Sequence, residues 1–170
     1  FDGHNWPDCG EVDIMEELGQ DTTSIHGTVH GPAYGNVDVP SGRADEVAGG
    51  IDKGFHVYAV EWDPNDIVFL VDDVPYFQVT PARRPSYARW VFDHPFFILL
   101  NLAVGGQYPG NPDDTTVFPQ TISVDYVRVS ARSDGGVFPD GGASDGGAPD
   151  VAGDAEAGMT DVDAFSPDAD

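Results

Sequence analysis

The sequence predicts an all-β protein, an antiparallel β-sandwich, and three observations support that fold class. Segments rich in β-branched and aromatic residues alternate with clusters of Gly, Pro and Asp, which is typical of strands and turns. No segment keeps the 3.6-residue apolar period of a helix. Residues 96–100 are apolar on both faces, which favours an inner strand between two layers. The predicted strands cover residues 10–17, 24–30, 55–62, 67–72, 74–79, 96–104 and 121–130.

Two short polar segments predict turns between neighbouring strands. Residues 63–66 (DPND) separate two apolar segments, and Asp72-Asp73 separates the next two. Pro fixes its own φ angle, and Asp and Asn side chains hydrogen-bond to the backbone of a turn, so both segments favour tight turns. The chain from 55 to 79 is therefore expected to form three strands joined by short connections.

The composition changes sharply after Ser130 and divides the chain into a domain and a tail. A chain of 170 residues is long enough for one domain with one core. Residues 131–170 are dominated by Gly, Asp, Ala and Pro, and the step Asp-Gly-Gly recurs in them. Such a segment has too little apolar surface to offset its chain entropy, so we predict a disordered acidic linker or tail. A calcium-binding acidic repeat is the alternative. The folded domain is expected to be 1–130.

Charge and cysteine content exclude several classes of protein. The formal net charge of −23 argues against nucleic acid or an anionic membrane as a partner, because phosphate binding requires a basic surface. No apolar run reaches the ~18 residues of a membrane-spanning helix. The single cysteine, Cys9, excludes an internal disulfide and a cysteine-based zinc site. The chain begins at Phe1 without an initiator Met or a leader, as expected of a mature protein or an internal fragment.

The strongest chemical signal is a predicted strand in which Glu11, Asp13 and Glu16 lie among apolar residues. Glu11 and Asp13 share a face because strand side chains alternate, whereas Glu16 would lie on the opposite face. One extra residue at Ile14-Met15, a β-bulge, would turn Glu16 to the face of the other two. The Cα atoms of Glu11 and Glu16 would then lie ~13 Å apart, and their carboxyl groups could converge to roughly 5 Å.

That separation is typical of a retaining glycosidase, in which one carboxylate is the nucleophile and the other the general acid. Three close carboxylates cannot all ionise freely, so we expect coupled titration and a proton retained within the group. Spacing alone leaves two alternatives open: a solvated acidic edge, or a site for a divalent cation made by the same acids.

Several motifs in a fixed order resemble one known family. Residues 6–17 (WPDCGEVDIMEE) resemble the active-site strand of glycoside hydrolase family 16, in its laminarinase (endo-β-1,3-glucanase) branch. The inserted Met15 is typical of this bulged branch, since the lichenase and carrageenase branches have a regular strand that is one residue shorter. The likeness covers about 1–130. Further matching motifs are 27–31 (GTVHG), 55–62 (FHVYAVEW), 67–73, 92–97 (FDHPFF), 100–106 (LNLAVGG), 118–120 and 124–129 (VDYVRV).

The resemblance implies a fold, a reaction and a role for each acid. It implies a concanavalin A-like jelly roll and retaining hydrolysis of β-1,3-glucan. Glu11 resembles the nucleophile, Glu16 the general acid/base, and Asp13 the carboxylate that assists them. The resemblance further implies a secreted or cell-surface enzyme that is a monomer in its full-length form, needs no cofactor for catalysis and has a polysaccharide as its partner.

Four other residues are predicted to bind substrate. Trp6 precedes Glu11 by five residues and could stack on a sugar ring, and His30 matches a position that lines the family's cleft. Asn101 is an amide in an apolar segment, so it either bonds to backbone or points towards substrate. Gln107 follows Gly105-Gly106, where the family often has a polar residue, commonly Asn.

The resemblance also suggests a metal ligand and an incomplete domain. Asp125 resembles a ligand of a structural calcium, although calcium takes six to eight oxygens and one Asp is a weak signal. The family's domain has further strands before the catalytic one, so we expect this chain to be an N-terminally truncated fragment that is not active alone. Three alternatives remain: hydrolysis of another β-glucan or of a galactan, transglycosylation through the same intermediate, and a non-catalytic glucan-binding module.

Overall fold

The computed structural model describes residues 3–32, 40–45, 50–83, 86 and 88–131. All of these residues lie in one compact unit, Phe1–Pro139. The predicted tail, 131–170, lies outside the described residues except for its first residue. The six strands are β1 (Glu11–Leu18), β2 (Asp21–His30), β3 (Ser41–Asp45), β4 (Tyr58–Asp63), β5 (Asp66–Val71) and β6 (Val74–Val79), and two short 3₁₀ turns cover Ile51–Lys53 and Pro81–Arg83.

The strands form two antiparallel sheets, which confirms the predicted all-β class. One sheet has the order β1-β2-β3 and the other the order β4-β5-β6. The main core cluster joins the sheets, since Val29 of β2 is fully buried together with Ile67, Phe69 and Val79 of the second sheet. The sheets approach closely where β3 meets β6, because a Cβ atom at Gly42 would overlap the ring of Phe77.

Both predicted turns are present in the second sheet. Asp63 pairs with Asp66, so β4 and β5 are joined through a two-residue loop, and the Asp63 carboxylate accepts a hydrogen bond from the Asn65 backbone at 2.8 Å. Asp72 and Asp73 connect β5 to β6 with φ angles of 49° and 64°. Two successive positive φ angles are those of the hairpin turns that match the twist of neighbouring strands.

Trp62 and Trp90 lie on the core side of the second sheet. Trp62 and Trp90 both pack against the main core cluster. The Trp62 indole donates to the Phe92 carbonyl at 2.6 Å, and the Trp90 indole donates to the Pro64 carbonyl at 2.7 Å. Each ring therefore packs against the core and has a hydrogen-bonded N–H group.

Two predicted strands are absent, and one strand was not predicted. Residues 96–104 and 121–130 have no assigned strand pairing, and the side chains of Phe97, Leu99 and Val129 are exposed. The prediction of an inner strand at 96–104 was wrong for the described structure, because a strand exists only where a neighbour pairs with its backbone. β3 was missed because its sequence, SGRAD, has low strand propensity and is held by pairing with β2.

No helix in the described part of the chain is long and apolar enough to cross a membrane.

Candidate active site

The first strand contains the predicted bulge. Asp13 pairs with Thr28, and Glu16 pairs with His26, so three steps along β1 face two steps along β2. The additional residue lies at Ile14-Met15, between the two paired positions, and it restores Glu16 to the face that Asp13 occupies. A hydrogen bond confirms the shared face: the Thr28 hydroxyl, opposite Asp13, donates to Glu16 Oε2 at 2.7 Å.

Three acids of β1 face polar residues of β2 across the sheet. Glu11 pairs with His30, Asp13 with Thr28, and Glu16 with His26. We call these six residues the polar row. His26, Thr28 and His30 lie on one face because they alternate with the buried residues Gly27 and Val29. The row is thus the outward face of a sheet whose other face packs into the core.

The middle carboxylate has the clearest electrostatic perturbation. Asp13 Oδ2 lies 3.0 Å from His30 Nε2, and both side chains are largely buried. Burial raises the pKa of Asp13 above its ordinary value, and the hydrogen bond to His30 opposes this increase. The negative charges of Glu11 and Glu16 raise the pKa of Asp13 further. Both effects disfavour the ionised form of Asp13, because its charge would be partly buried and would lie close to two other carboxylates.

A glycine turn positions Trp6 beside the first acid. The turn closes through a hydrogen bond from the Gly10 backbone N–H to the Pro7 carbonyl at 2.9 Å. Gly10 has φ = 77°, and a side chain there would also press against Val91 and Phe96. The Trp6 indole N–H donates to Glu11 Oε2, and its ring centroid lies 5.7 Å from that of His30. Trp6, His30 and Glu11 thus stand together at one end of the polar row.

An aromatic residue that the sequence analysis did not select lies at the other end. Tyr108 is exposed, and its ring makes an edge contact with His26 at 6.2 Å between centroids. Burial of part of the phenol raises the pKa of Tyr108, and the charge of Glu16 raises it further, whereas Arg43 opposes both. The available sequence signal was an aromatic residue in a turn flanked by Gly105-Gly106 and Pro109-Gly110.

The other predicted binding residues have different positions. Gln107 is exposed and immediately precedes Tyr108 in the turn that reaches the polar row. Asn101 is exposed, in the segment 96–104 that has no assigned strand. Their roles in binding stay predictions.

Three side chains of the row have donor atoms close enough to share a cation. The ligand atoms of Glu11, Asp13 and His30 lie within 4.8 Å of one another, and no other such trio of His, Cys, Asp or Glu occurs within the described residues. Asp125, the predicted calcium ligand, is exposed in the extended segment 121–130. Calcium at Asp125 stays a prediction, since six to eight oxygens are needed and one carboxylate supplies at most two.

The geometry suits proton transfer and attack at one bond. Two glutamates flank a protonatable aspartate on one wall, and each glutamate accepts a hydrogen bond that fixes its orientation, from Trp6 or Thr28. Carboxylates held in this way can serve as a nucleophile and as a general acid, provided that their environments differ.

Comparison with known proteins relates this chain to one family. The model of "Glycosyl hydrolases family 16" matches residues 2–128. A "Beta-glucanase" of Rhodothermus marinus is 41% identical in an alignment 138 residues long that covers 73% of this chain and 45% of that protein. The structure of an endo-β-1,3-glucanase from Pyrococcus furiosus matches with a TM-score of 0.65 and 45% identity, covering 69% of this chain and 46% of that one. The laminarinase catalytic domain of Thermotoga maritima matches with a TM-score of 0.65 and 41% identity, covering 69% and 48%. The chain thus spans about half the length of these relatives.

Proposed function

Because the chain belongs to glycosyl hydrolase family 16, we propose that it carries the catalytic strand of a retaining endo-glycosidase that hydrolyses β-1,3-glucans of the laminarin type. The observation that supports this most is the bulge in β1, which brings Glu16 to the face of Glu11 and Asp13. The similarity to an endo-β-1,3-glucanase and a laminarinase supports the substrate class.

The proposed reaction is a double displacement. Glu16 donates a proton to the glycosidic oxygen while the Glu11 carboxylate attacks the anomeric carbon, so the C–O bond to the leaving sugar breaks and a glycosyl-enzyme ester forms. Glu16, now a carboxylate, takes a proton from water as that water attacks the same carbon and releases Glu11. The anomeric configuration is inverted twice and is therefore retained.

The residues around Glu11 and Glu16 support the proposed roles of nucleophile and general acid/base. The Trp6 indole donates to Glu11 Oε2, which holds this carboxylate in one orientation, as the nucleophile needs. Asp13 lies between the two acids along the strand and has a raised pKa, so we propose that it holds a proton and limits repulsion when both glutamates are charged. His30 fixes the Asp13 carboxyl at 3.0 Å.

Stereochemistry and chain length of the products test the proposal. The natural full-length protein is expected to release reducing ends from laminarin and to yield internal oligosaccharides. Proton NMR of the first products should show the β-anomer before mutarotation. Initial release of the α-anomer would contradict the double displacement, and binding of laminarin without release of reducing ends would favour the glucan-binding module.

Two further alternatives remain open within the family. Hydrolysis of a mixed-linkage glucan or of a galactan would show as faster release from those polymers than from laminarin. A transglycosylase would share the glycosyl-enzyme and would transfer the sugar to another saccharide in place of water. The proposed enzyme is secreted or bound to the cell surface and is a monomer in its full-length form.

The proposed chemistry needs no metal. Residues of the polar row supply both the nucleophile and the acid, so we propose that any calcium bound at Asp125 would act on stability alone. A chelator should then leave the turnover number unchanged while the melting temperature stays equal or falls.

A further inference from the structure

A histidine that the proposed reaction does not use lies beside the turn that leads into β1. His94 Nε2 lies 3.1 Å from the Cys9 carbonyl oxygen, 85 positions away along the chain, and His94 Nδ1 lies 3.0 Å from the Pro95 carbonyl oxygen. A carbonyl oxygen can only accept a hydrogen bond, so the contact with Cys9 is made by a ring that carries a hydrogen on Nε2. The side chain thus joins a distant segment to the residue that lies two positions before Glu11.

The ring of His94 is oriented by packing against other rings. It stacks on the ring of Phe96, with 4.5 Å between the ring centroids and 15° between the ring planes. Phe96 in turn makes an edge contact with Trp62, which packs against the main core cluster. The core therefore determines where the imidazole lies, and the imidazole lies against the Cys9 carbonyl.

The segment that His94 reaches is the turn of residues 5–10, which we call the entry turn and which contains Trp6. Two backbone hydrogen bonds of 2.9 Å and 3.2 Å close the entry turn on itself. The bond from His94 differs from these two, because it connects the entry turn to another part of the domain. Gly10 adds a close approach to the ring of Phe96, since a Cβ atom there would lie 3.1 Å from that ring. The entry turn is thus supported from the side on which His94 and Phe96 lie.

The position of the entry turn affects Glu11 through Trp6. The Trp6 indole N–H donates to Glu11 Oε2, so the entry turn contacts the first acid of the polar row. The Trp6 side chain is 48% exposed, and its orientation therefore depends on the backbone that holds it as well as on packing. A shift of the entry turn would move the indole relative to Glu11, and small displacements of groups that orient a reacting atom lower rates strongly.

We propose that His94 is a positioning residue for the nucleophile. By donating to the Cys9 carbonyl it fixes the entry turn, and through Trp6 it fixes the orientation of the Glu11 carboxylate. The part of this inference that concerns the reaction rests on the proposed function, because it needs Glu11 as the attacking group. The support of Trp6 by His94 does not depend on that function and can be measured separately.

The experiment varies the donor at position 94 in the natural full-length protein. His94→Leu keeps an apolar side chain against Phe96 and removes the donor, and it should lower kcat/KM on laminarin about tenfold. His94→Gln keeps an N–H group at a similar reach and should stay within about threefold of the wild type. Asp93→Asn, at the exposed neighbouring position, is the matched control and should retain full activity. If His94→Leu does not fold, His94→Asn, which is polar but shorter, takes its place.

A double-variant cycle tests whether His94 acts through Trp6. Trp6→Phe keeps an aromatic ring and removes the indole N–H, so it should also lower kcat/KM about tenfold. The combination of His94→Leu with Trp6→Phe should lie within about twofold of the poorer single variant, whereas independent effects would multiply to about a hundredfold. A general loss of stability would not produce this coupling between the two positions.

Fluorescence quenching follows Trp6 without an activity assay. The difference between the emission of a protein with Trp6 and that of its Trp6→Phe variant isolates the signal of Trp6. Acrylamide should quench this signal more strongly in the His94→Leu background than in the wild type, because the indole is no longer held against Glu11. In the His94→Gln background the quenching should return towards the wild-type value.

Four results would overturn the proposal. They are wild-type activity of His94→Leu, equal losses for His94→Leu and His94→Gln, losses that multiply in the double-variant cycle, and unchanged quenching of Trp6 in the His94→Leu background. If the wild type releases no reducing ends from laminarin, the proposed function itself fails. The quenching experiment then still decides whether His94 holds the entry turn, so the two failures are distinguishable.

Discussion

The two sheets are built alike and carry different residues on their outward faces. Each has three antiparallel strands, and each contributes fully buried apolar residues to the shared core, such as Val29 from β2 and Phe69 from β5. The outward face of β1 and β2 has three carboxylates, two histidines and Thr28. The corresponding positions of β5 are Val68 and Leu70, which alternate with the buried residues of that strand.

The difference shows how one architecture separates stability from chemistry. A regular strand such as β5 keeps a strict alternation, so all its buried residues serve the core. β1 interrupts its alternation at the bulge, and the interruption places Glu16 with the other two acids. Substitutions in the first sheet should therefore change activity most, and substitutions in the second should change stability most.

The largest expected effect is the loss of either glutamate. Glu16→Gln removes the general acid and should lower kcat on laminarin by about 10²–10⁴-fold. Glu11→Gln removes the nucleophile and should lower it by at least that factor. Initial-rate assays of reducing-end release measure both, and thermal melting should show little change. Glu61→Gln, an exposed acid of β4, is the matched control and should retain full activity. Near-normal turnover by either polar-row variant would refute the assignment.

The largest expected effect on stability comes from the second sheet. Phe69 is fully buried and stacks obliquely on Phe77, with 5.1 Å between ring centroids. Phe69→Ala leaves a cavity between the sheets and should lower the free energy of unfolding by about 3–5 kcal/mol. Urea denaturation measures this change, and Val74→Ala, at an exposed position of β6, should be nearly neutral. A small effect at Phe69 would mean that the sheets do not depend on this contact.

The fold elements that could be predicted from the sequence are those determined by residues close together along the chain. The hairpin turns at Pro64-Asn65 and Asp72-Asp73 follow from the backbone preferences of Pro, Asn and Asp, and both are present. The bulge at Ile14-Met15 was predictable because acids on a half-buried strand favour one face. In a regular strand Glu16 would lie on the face opposite to Glu11 and Asp13, and one extra residue removes this conflict.

Features that depend on distant parts of the chain were not predicted. Residues 96–104 have strong strand propensity, yet no strand is assigned to them in the described structure, since a strand needs a neighbouring strand that propensity cannot specify. Tyr108 reaches His26 through a turn more than 80 positions away along the chain, and nothing local to Tyr108 indicates that contact. The weak strand β3 was missed for the same reason, because β2 defines it.

The middle carboxylate should lower stability at neutral pH while supporting activity. Burial and the charges of Glu11 and Glu16 raise the pKa of Asp13, so the folded state binds its proton more tightly than the unfolded state does. Stability is then lost as pH rises from the unfolded value of 3.8 through the folded one, so part or all of this loss is present at pH 7. Asp13→Asn should raise the melting temperature at pH 7 and lower kcat by at least about tenfold.

The pH dependence separates this effect from a simple change in packing. The stabilisation by Asp13→Asn should disappear below about pH 3.5, where the wild-type carboxyl is protonated in both states. Melting curves at pH 7 and pH 3.5 provide the comparison. The exposed residue Asp114 gives the control variant Asp114→Asn, which should be neutral at both values. A lower melting temperature for Asp13→Asn at pH 7 would contradict the assigned cause, which is burial of the carboxyl together with the charges of Glu11 and Glu16.

The smallest expected effect tests a histidine–carboxylate pair in the second sheet, which has no place in the proposed reaction. His56 Nδ1 lies 2.7 Å from Asp72 Oδ2, and Asp72 also accepts from the Val57 backbone at 2.9 Å. The hydrogen bond with Asp72 raises the pKa of His56 above 6.5, and the bond with His56 lowers the pKa of Asp72 below 3.8. The contribution of Asp72 is present above pH 3.8 and is lost as pH falls through its lowered value. The contribution of His56 is fully present below pH 6.5 and is lost as pH rises through its raised value.

The pair should therefore stabilise the hairpin most between these two limits. His56→Gln is expected to lower the melting temperature by less than about 3 °C near pH 5, because exposed ion pairs contribute little, and by less still at pH 9. Asp72→Asn tolerates the positive φ of the turn and should reproduce the pH 5 effect without adding to it in the double variant. Additive losses would show that the two residues act separately. A change in laminarin turnover by either variant would contradict the proposed separation of activity and stability between the two sheets, since only the polar row is expected to affect chemistry.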